Sequence, residues 1–341
     1  MILAGGMSTR LYPLTRAVPK PLVPVAGEPN SAHVMRYLHS FGIDEIAINV
    51  HYLADAIETC FGDGSAYGVK LHYLREAILM GSAGAIKPLE SFFDETFVVV
   101  GCDDLTNAPL DRLVAFHRER KALATIGLVK ANDVREYGVV VLDERGRIVE
   151  FQEKPAPGTE RSHLVNTGIY VFEPAIFSRI PADTFYDFGK NVFPGLQADA
   201  APFYGLAMPD AYWSDIGTPG EYRRATFDVL AGRMRLPGGR PGRGIAPDAV
   251  IDPSVRVEGD VLVGAGVRIG AGARIAGPCA IGEAAVVGAG ATLERSIVWA
   301  RATIGAGATL RDSIVGQDYA VPPHATLDGD VVANNPETVP A

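Results

Sequence analysis

Near its start the chain reads Gly5-Gly6-Met7-Ser8-Thr9-Arg10, and ten residues later Lys20 stands between Pro19 and Pro21. Glycines let the backbone approach an anion closely, so that several N–H groups can face phosphate oxygens. The flanking prolines restrict the backbone around Lys20 and hold its ammonium in place. A glycine-rich loop alone is an ordinary turn. Two fixed cations beside a nest of amides suit a triphosphate, because transfer at phosphorus is mostly positioning and charge neutralisation.

Carboxylates recur at the ends of apolar runs. VVVGCDDL (98–105) ends in Asp103 and Asp104, and YWSDIGTP (212–219) contains Asp215. Adjacent strand residues point to opposite faces, so no more than one of Asp103 and Asp104 is expected to serve as a metal ligand. EYGVVVLDERGRIVEFQEKP (136–155) reads as a hairpin that closes on Glu153 and Lys154. The seven histidines show no ligand spacing and no triad partner, and most are expected on the surface or on helix faces. Their scatter fits a phosphate nucleophile, which is already an anion and needs no general base.

The elements that must carry these groups follow two grammars. In the first half, IAINV (46–50), VKLHYL (69–74), TFVVVG (96–101) and ATIGLV (124–129) read as strands. The stretches 32–42, 53–61 and 108–121 read as amphipathic helices. This alternation predicts an α/β domain, a mostly parallel sheet covered on both faces, with ligands at the carboxyl ends of the strands. After a Pro/Gly/Arg linker at 236–244, an aliphatic residue recurs every six positions, as in Val263, Ile269, Ile275, Ile281, Val287 and Leu293. A hexapeptide period predicts a triangular parallel β-helix over 245–330 with these side chains inside. ERSIV and RDSIV each shorten the pattern by one residue. Cys279 falls in a small core slot of this pattern. Residues 1–235 form the expected catalytic domain and 331–341 a C-terminal tail.

Bulk properties agree. Hydrophobic residues make up 48% and charged residues 21%, an ordinary globular balance. The net charge of −9 argues against a nucleic-acid partner. No apolar run approaches a membrane span and no secretory signal is read, so neither a membrane nor export is expected. Three unpaired-looking cysteines point to a reduced, cytoplasmic protein.

LAGGMSTRLYPLTRAVPKPLVPV (3–25) resembles the signature of the sugar-nucleotide pyrophosphorylases, roughly GGxGTRLxPLTxxxPKPLxPV. The resemblance extends through both halves of the chain. It implies a Rossmann-like nucleotidyltransferase domain followed by a left-handed parallel β-helix. It implies that Arg10 and Lys20 are catalytic and that Leu3, Ala4, Gly5, Gly6, Ser8 and Thr9 meet the nucleotide. Ser8 stands where the family usually has glycine. REAILMGSAGAI (75–86) resembles the segment that cradles the base, which places Glu76, Gly81, Ser82 and Ala83 beside it. Asp103 and Asp215 match the family's Mg²⁺ ligands, with Cys102 where a glycine usually precedes. Asp104, Gly138, Glu153, Lys154 and Asn166 match contacts to the sugar phosphate.

The implied reaction joins an NTP and a sugar 1-phosphate to give an NDP-sugar and pyrophosphate. Glu76 is acceptor-only and so suits the donor edge of guanine, and the domain order resembles the mannose-1-phosphate guanylyltransferases. GTP plus mannose 1-phosphate is therefore expected, with adenylyl-, thymidylyl- or uridylyltransfer to glucose 1-phosphate as the alternatives. The β-helix is expected to serve assembly of a homo-oligomer. Acyltransfer is the reading from another class, and it meets only His324 in that region. A third reading is an inactive regulatory homologue that binds sugar nucleotides.

Overall fold

The computed structural model describes residues 1–239 and 242–334. Two residues of the predicted linker, Arg240 and Pro241, and positions 335–341 of the predicted tail lie outside them. The chain forms two compact units that do not follow chain order. One unit comprises Met1–Gly6 and Tyr37–Trp213. The other comprises Met7–Arg36 and the chain from Ser214 onward.

The first unit is built on a nine-stranded sheet. Strand β1 (Ile2–Leu3) lies between β2 (Glu45–Val50) and β4 (Phe97–Gly101), parallel to both, and β3 (Lys70–Arg75) extends β2 in parallel. Val98, Val99 and Val100 are all buried, as a strand covered on both faces requires. Beyond β4 the sheet continues through β8 (Leu164–Phe172), which is antiparallel to β4, to β5 (Ala124–Lys130) and to β6 (Gly138–Leu142). Strand β7 (Ile148–Glu153) pairs with β6 as the predicted hairpin, and β9 (Phe203–Ala207) runs parallel to β5.

The three predicted helices are found as α1 (Asn30–His39), α2 (Ala54–Phe61) and α3 (Leu110–Glu119). On α3 the buried face is Leu110, Leu113 and His117, one stripe at helical spacing. Two histidines depart from the surface expectation. His117 is buried between Thr125 Oγ1 (2.8 Å) and Glu173 Oε1 (3.1 Å). His33 is buried with Nε2 against the Val25 carbonyl at 2.9 Å.

In the second unit, the chain from Gly244 winds through three parallel sheets, one per side of a triangular coil. Ile245 pairs with Val263, and Val263 with Ile281, eighteen residues apart. From there Ile281 pairs with Val298 and Val298 with Val315, seventeen apart. The shortened ERSIV and RDSIV units thus each remove one residue from a coil without breaking the stack. From Val263 to Val321 the six-residue set fills the interior, whereas Ile245 and Val257 of the first coil are exposed; Cys279 is fully buried in its small core slot, its thiol pushed up to about 11 by burial.

One face of the coil is apolar on its outside as well. Leu262, Ala280, Ile297 and Ile314 alternate with inward residues in the same strands, and the last three are buried. Helix α4 (Pro219–Leu230) packs on this face at Cys279–Ile281. Arg223 donates to the Asp312 carbonyl, and Arg295 lies 5.6 Å over the Phe227 ring.

Candidate active site

In the first unit the predicted nucleotide loop leaves the carboxyl end of β1. The Ala4 amide donates to Asn49 Oδ1 at 2.9 Å, and Asn49 Nδ2 donates to Glu76 Oε2 at 2.6 Å. Glu76 Oε1 accepts from the Met80 amide at 3.1 Å. Gly5 sits on this pair: a Cβ there would stand 2.6 Å from Glu76 Oε2 and 2.7 Å from Asn49 Nδ2. Only glycine fits that approach. Glu76 therefore joins the glycine loop to the segment 76–80, and the link is Asn49, which the sequence reading did not single out. Its signal was a lone amide in the otherwise apolar IAINV.

The predicted base segment is clamped along its length. The Ala83 and Gly84 amides donate to the Tyr186 carbonyl at 3.0 and 2.9 Å, and the Tyr186 amide donates to Met80 O at 2.8 Å. Ser82 Oγ donates to Asp187 Oδ2 at 2.7 Å and accepts from the Phe188 amide at 3.0 Å. Asp187 also accepts from the Gly189 and Lys190 amides, capping the helical turn that follows. Two large apolar side chains stay exposed in these two segments, Ile78 and Phe185.

Strand β4 ends at Gly101, and residues 102–103 form a turn. The opposite-face expectation for Asp103 and Asp104 does not hold, because Asp103 has left the strand. Asp103 Oδ1 and Asp104 Oδ2 both close on Gly101, at 2.7 and 3.1 Å from the point where a Cβ would stand. Their environments still differ. Asp104 is buried and accepts from the Gly101 amide (2.9 Å) and from Trp213 Nε1 (3.0 Å). Asp103 is half-buried.

At the predicted sugar segment, Glu153 is paired across the hairpin with Gly138. Burial raises the Glu153 carboxyl above its ordinary value, with repulsion from Asp187 adding to it, while Lys154 and Lys190 oppose the shift. Lys154 is half-exposed, with Nζ 3.7 Å from Glu136 Oε2. Asn166 donates to Tyr170 Oη at 3.0 Å and accepts from the Gly168 amide at 2.9 Å, at an irregularity in the β8 register. Asp187, Asp104 and Glu153 all act on the buried Tyr170 phenol, raising its pKa further after burial itself.

In the second unit, Ser8 takes the left-handed conformation (φ 53°) before the short turn Thr9–Leu11, and Thr15 Oγ1 donates to its carbonyl at 2.8 Å. This is the backbone state that a glycine would adopt without strain. Lys20 opens the turn Lys20–Leu22, preceded by extended Pro19. Arg10 and Asp215, two hundred positions apart, meet at Gly217. A Cβ there would stand 2.8 Å from Asp215 Oδ2, 3.1 Å from Arg10 Nη2 and 3.3 Å from Glu221 Oε2. Thr218 caps α4 through the Glu221 amide (3.2 Å), its hydroxyl donates to Glu221 Oε2 (2.9 Å), and Pro219 takes the first turn. Asp215, Gly217, Thr218 and Pro219 of DIGTP thus each have a local reason. Glu221 is a third charged group that the sequence reading missed. His324 lies at a corner of the coil, its Nδ1 2.5 Å from where a Cβ on Gly307 would stand.

Comparison with known proteins shows the family. A family model described as nucleotidyl transferase matches residues 1–232, and one described as the GMPPB C-terminal domain matches 241–335. The chain belongs to the nucleotidyl transferase family. It is 40% identical over 255 residues to a UTP–glucose-1-phosphate uridylyltransferase of Synechocystis sp., across 70% of this chain and 66% of that protein. It is 36% identical over 247 residues to a mannose-1-phosphate guanylyltransferase of Mycobacterium tuberculosis, across 72% of this chain and 68% of that protein. The chain thus spans about two thirds of these relatives. A solved structure of a putative glucose-1-phosphate thymidylyltransferase from Bacillus anthracis superposes with a TM-score of 0.60 at 26% identity. The match covers 66% of this chain and 92% of that one. These similarities place this nucleotidyltransferase among the sugar-nucleotide pyrophosphorylases. Among its described residues, no helix is long and apolar enough to cross a membrane.

Proposed function

We propose that this chain transfers a nucleoside monophosphate from an NTP to a sugar 1-phosphate, releasing pyrophosphate. The observation that carries the reading is the meeting of Arg10 and Asp215 at Gly217. A cation for departing phosphates and a carboxylate matched to the family's metal position are brought together within one unit from distant parts of the chain.

An oxygen of the sugar 1-phosphate attacks the α-phosphorus in line. The new O–P bond forms as the bond to the β-phosphate oxygen breaks, and pyrophosphate leaves with that electron pair. Arg10 stabilises the β- and γ-phosphates, and Lys20 the charge that develops near the α-phosphate. Lys154 holds the incoming sugar phosphate. Gly138, Glu153, Asn166 and Asp104 line the sugar side. Leu3, Ala4, Gly5, Gly6, Ser8 and Thr9 carry the triphosphate loop, and Glu76, Gly81, Ser82 and Ala83 the base side.

Asp103 and Asp215 would hold Mg²⁺. Among the described residues, no three His, Cys, Asp or Glu side chains gather as a ready metal cage. Two carboxylates completed by phosphate oxygens and water nevertheless fit Mg²⁺, which prefers hard oxygen ligands and keeps its waters. When bound, the ion neutralises phosphate charge.

Our preferred substrates are GTP and mannose 1-phosphate. The match of the second half to the GMPPB C-terminal domain and the guanylyltransferase relative support them. UTP with glucose 1-phosphate is the second reading, favoured by the 40% identity to the uridylyltransferase. Residues 1–235 would carry catalysis, and the β-helix would serve packing and homo-oligomer assembly. The exposed Ile245 and Val257 of its first coil support assembly. The three free thiols support a cytoplasmic location.

A matrix of common NTPs against glucose and mannose 1-phosphates, scored by pyrophosphate release, tests the reaction and its specificity. Lys20→Ala should lower kcat by about 10²- to 10³-fold, the size seen when one transition-state donor is removed. Wild-type turnover in that variant would refute the assignment.

A further inference from the structure

We infer that Trp299, on the β-helix, and Tyr222, on α4, are positioning residues for the Lys20 segment. The inference rests on the reading of Lys20 as the cation at the reacting phosphates.

The link is a chain of hydrogen bonds inside the second unit. Trp299 Nε1 donates to Tyr222 Oη at 2.9 Å, and Tyr222 Oη donates to the Pro24 carbonyl at 2.7 Å. Both side chains are buried, Trp299 at 2% and Tyr222 at 0% exposure, so breaking either bond leaves a buried polar group unpaired. The phenol gives its one proton to Pro24 and accepts one from the indole. The rings meet edge to face at 6.1 Å, which holds the rigid indole N–H in place against the phenol.

Pro24 lies just beyond the turn that carries Lys20. That turn is closed by Leu22 N to Pro19 O (2.8 Å) and Val23 N to Lys20 O (3.1 Å), and Asn30 N returns to Val23 O (2.9 Å). Pro24 has no N–H of its own, so its carbonyl is the group through which the backbone can be anchored here. Val23 and Val25 are fully buried on either side, but Pro24 itself is only half-buried. A cavity of about 160 Å³ lies beside it, lined by Leu22, Pro24, Tyr222, Leu262 and Trp299 among others. Where neighbours are missing, dispersion contacts are lost and directional bonds decide the position.

The test uses the full chain carrying Tyr222→Phe, which breaks both bonds, and Trp299→Phe, which breaks one and keeps an aromatic ring. Hydrogen–deuterium exchange reads the amides of peptides spanning Lys20–Asn30, with peptides from β2 and β4 as an internal control. Exchange in the Lys20–Asn30 peptides should accelerate about tenfold in Tyr222→Phe, less in Trp299→Phe, with the controls unchanged. Pyrophosphate-release kinetics on the same folded variants should show kcat lowered at least fivefold in Tyr222→Phe, with KM for the sugar 1-phosphate within twofold of wild type. A purely structural role would lower thermal stability and leave kcat of the folded enzyme intact. Unchanged exchange in the segment, or unchanged kcat, in folded Tyr222→Phe overturns the inference. If the wild-type chain releases no pyrophosphate with any substrate pair, the proposed reaction fails, while the exchange result still decides the anchor.

Discussion

Asn49 holds two parts of the nucleotide site at once. Its carbonyl takes the Ala4 amide and its amide meets Glu76, in the space that Gly5 leaves open. Asn49→Leu keeps the volume and strands both partners, so it should cost about 1–3 kcal/mol in urea unfolding. It should also raise KM for the NTP more than KM for the sugar phosphate. Equal effects on both would show that Asn49 only stabilises the fold. Ser8 makes the opposite case. An L-residue in the left-handed region costs about 1–2 kcal/mol, and glycine loses about 0.5–1 kcal/mol in chain entropy relative to alanine. Ser8→Gly should therefore leave stability unchanged or raise it by up to about 1.5 kcal/mol. A loss of stability would mean that the hydroxyl itself is required.

Among the elements, α1 carries a titratable group that the reaction does not use. Burial lowers His33 from 6.5 to about 4, and its Nδ1 has no hydrogen-bond partner. The folded state keeps His33 neutral while the unfolded chain takes up a proton near pH 6.5. Its contribution to stability is therefore complete above that pH and is lost as the pH falls towards 4, by about 3 kcal/mol in all. His33→Gln, which can still donate to Val25 O, should flatten the dependence of unfolding free energy on pH between 6.5 and 4 by about one proton. An unchanged slope would place the acid sensitivity elsewhere. Hairpin β6–β7 shows what pattern can reach. Its turn follows from DERG, but the raised Glu153 pKa comes from burial and then from Asp187, thirty-four positions away on a segment that no motif marked.

At the scale of the whole molecule, the apolar outer face of the β-helix matters most. Leu262, Ala280, Ile297 and Ile314 form a column where other faces of the coil carry Arg268, Arg274 or Thr309. Burying Ile297 and Ile314 is worth about 1.5–3 kcal/mol each, and within its unit this face is covered by α4. A chain cut after Arg235 would leave α4 uncovered and the Pro24 anchor without Trp299. It should express poorly or unfold at a markedly lower temperature than the full chain. A soluble truncated protein with full activity and an unchanged melting temperature would show that the β-helix is dispensable.

Much of this was legible in the sequence. The six-residue period places the β-helix core because an aliphatic side chain must point inward once per side of the coil. The glycine loop, the PKP cation and DIGTP announce phosphate chemistry because few other residue types meet those backbone and charge demands. What the sequence could not show were the partners of these groups: Asn49 beneath Gly5, Asp187 behind Ser82 and Glu153, Glu221 beside Arg10, and Trp299 behind Pro24. Each is an ordinary residue whose importance comes from a contact across a long stretch of chain. Period and motif record what a segment demands locally. Only tertiary packing decides which distant side chain meets that demand, because hydrogen bonds and desolvation depend on distances of a few ångströms that chain order does not encode.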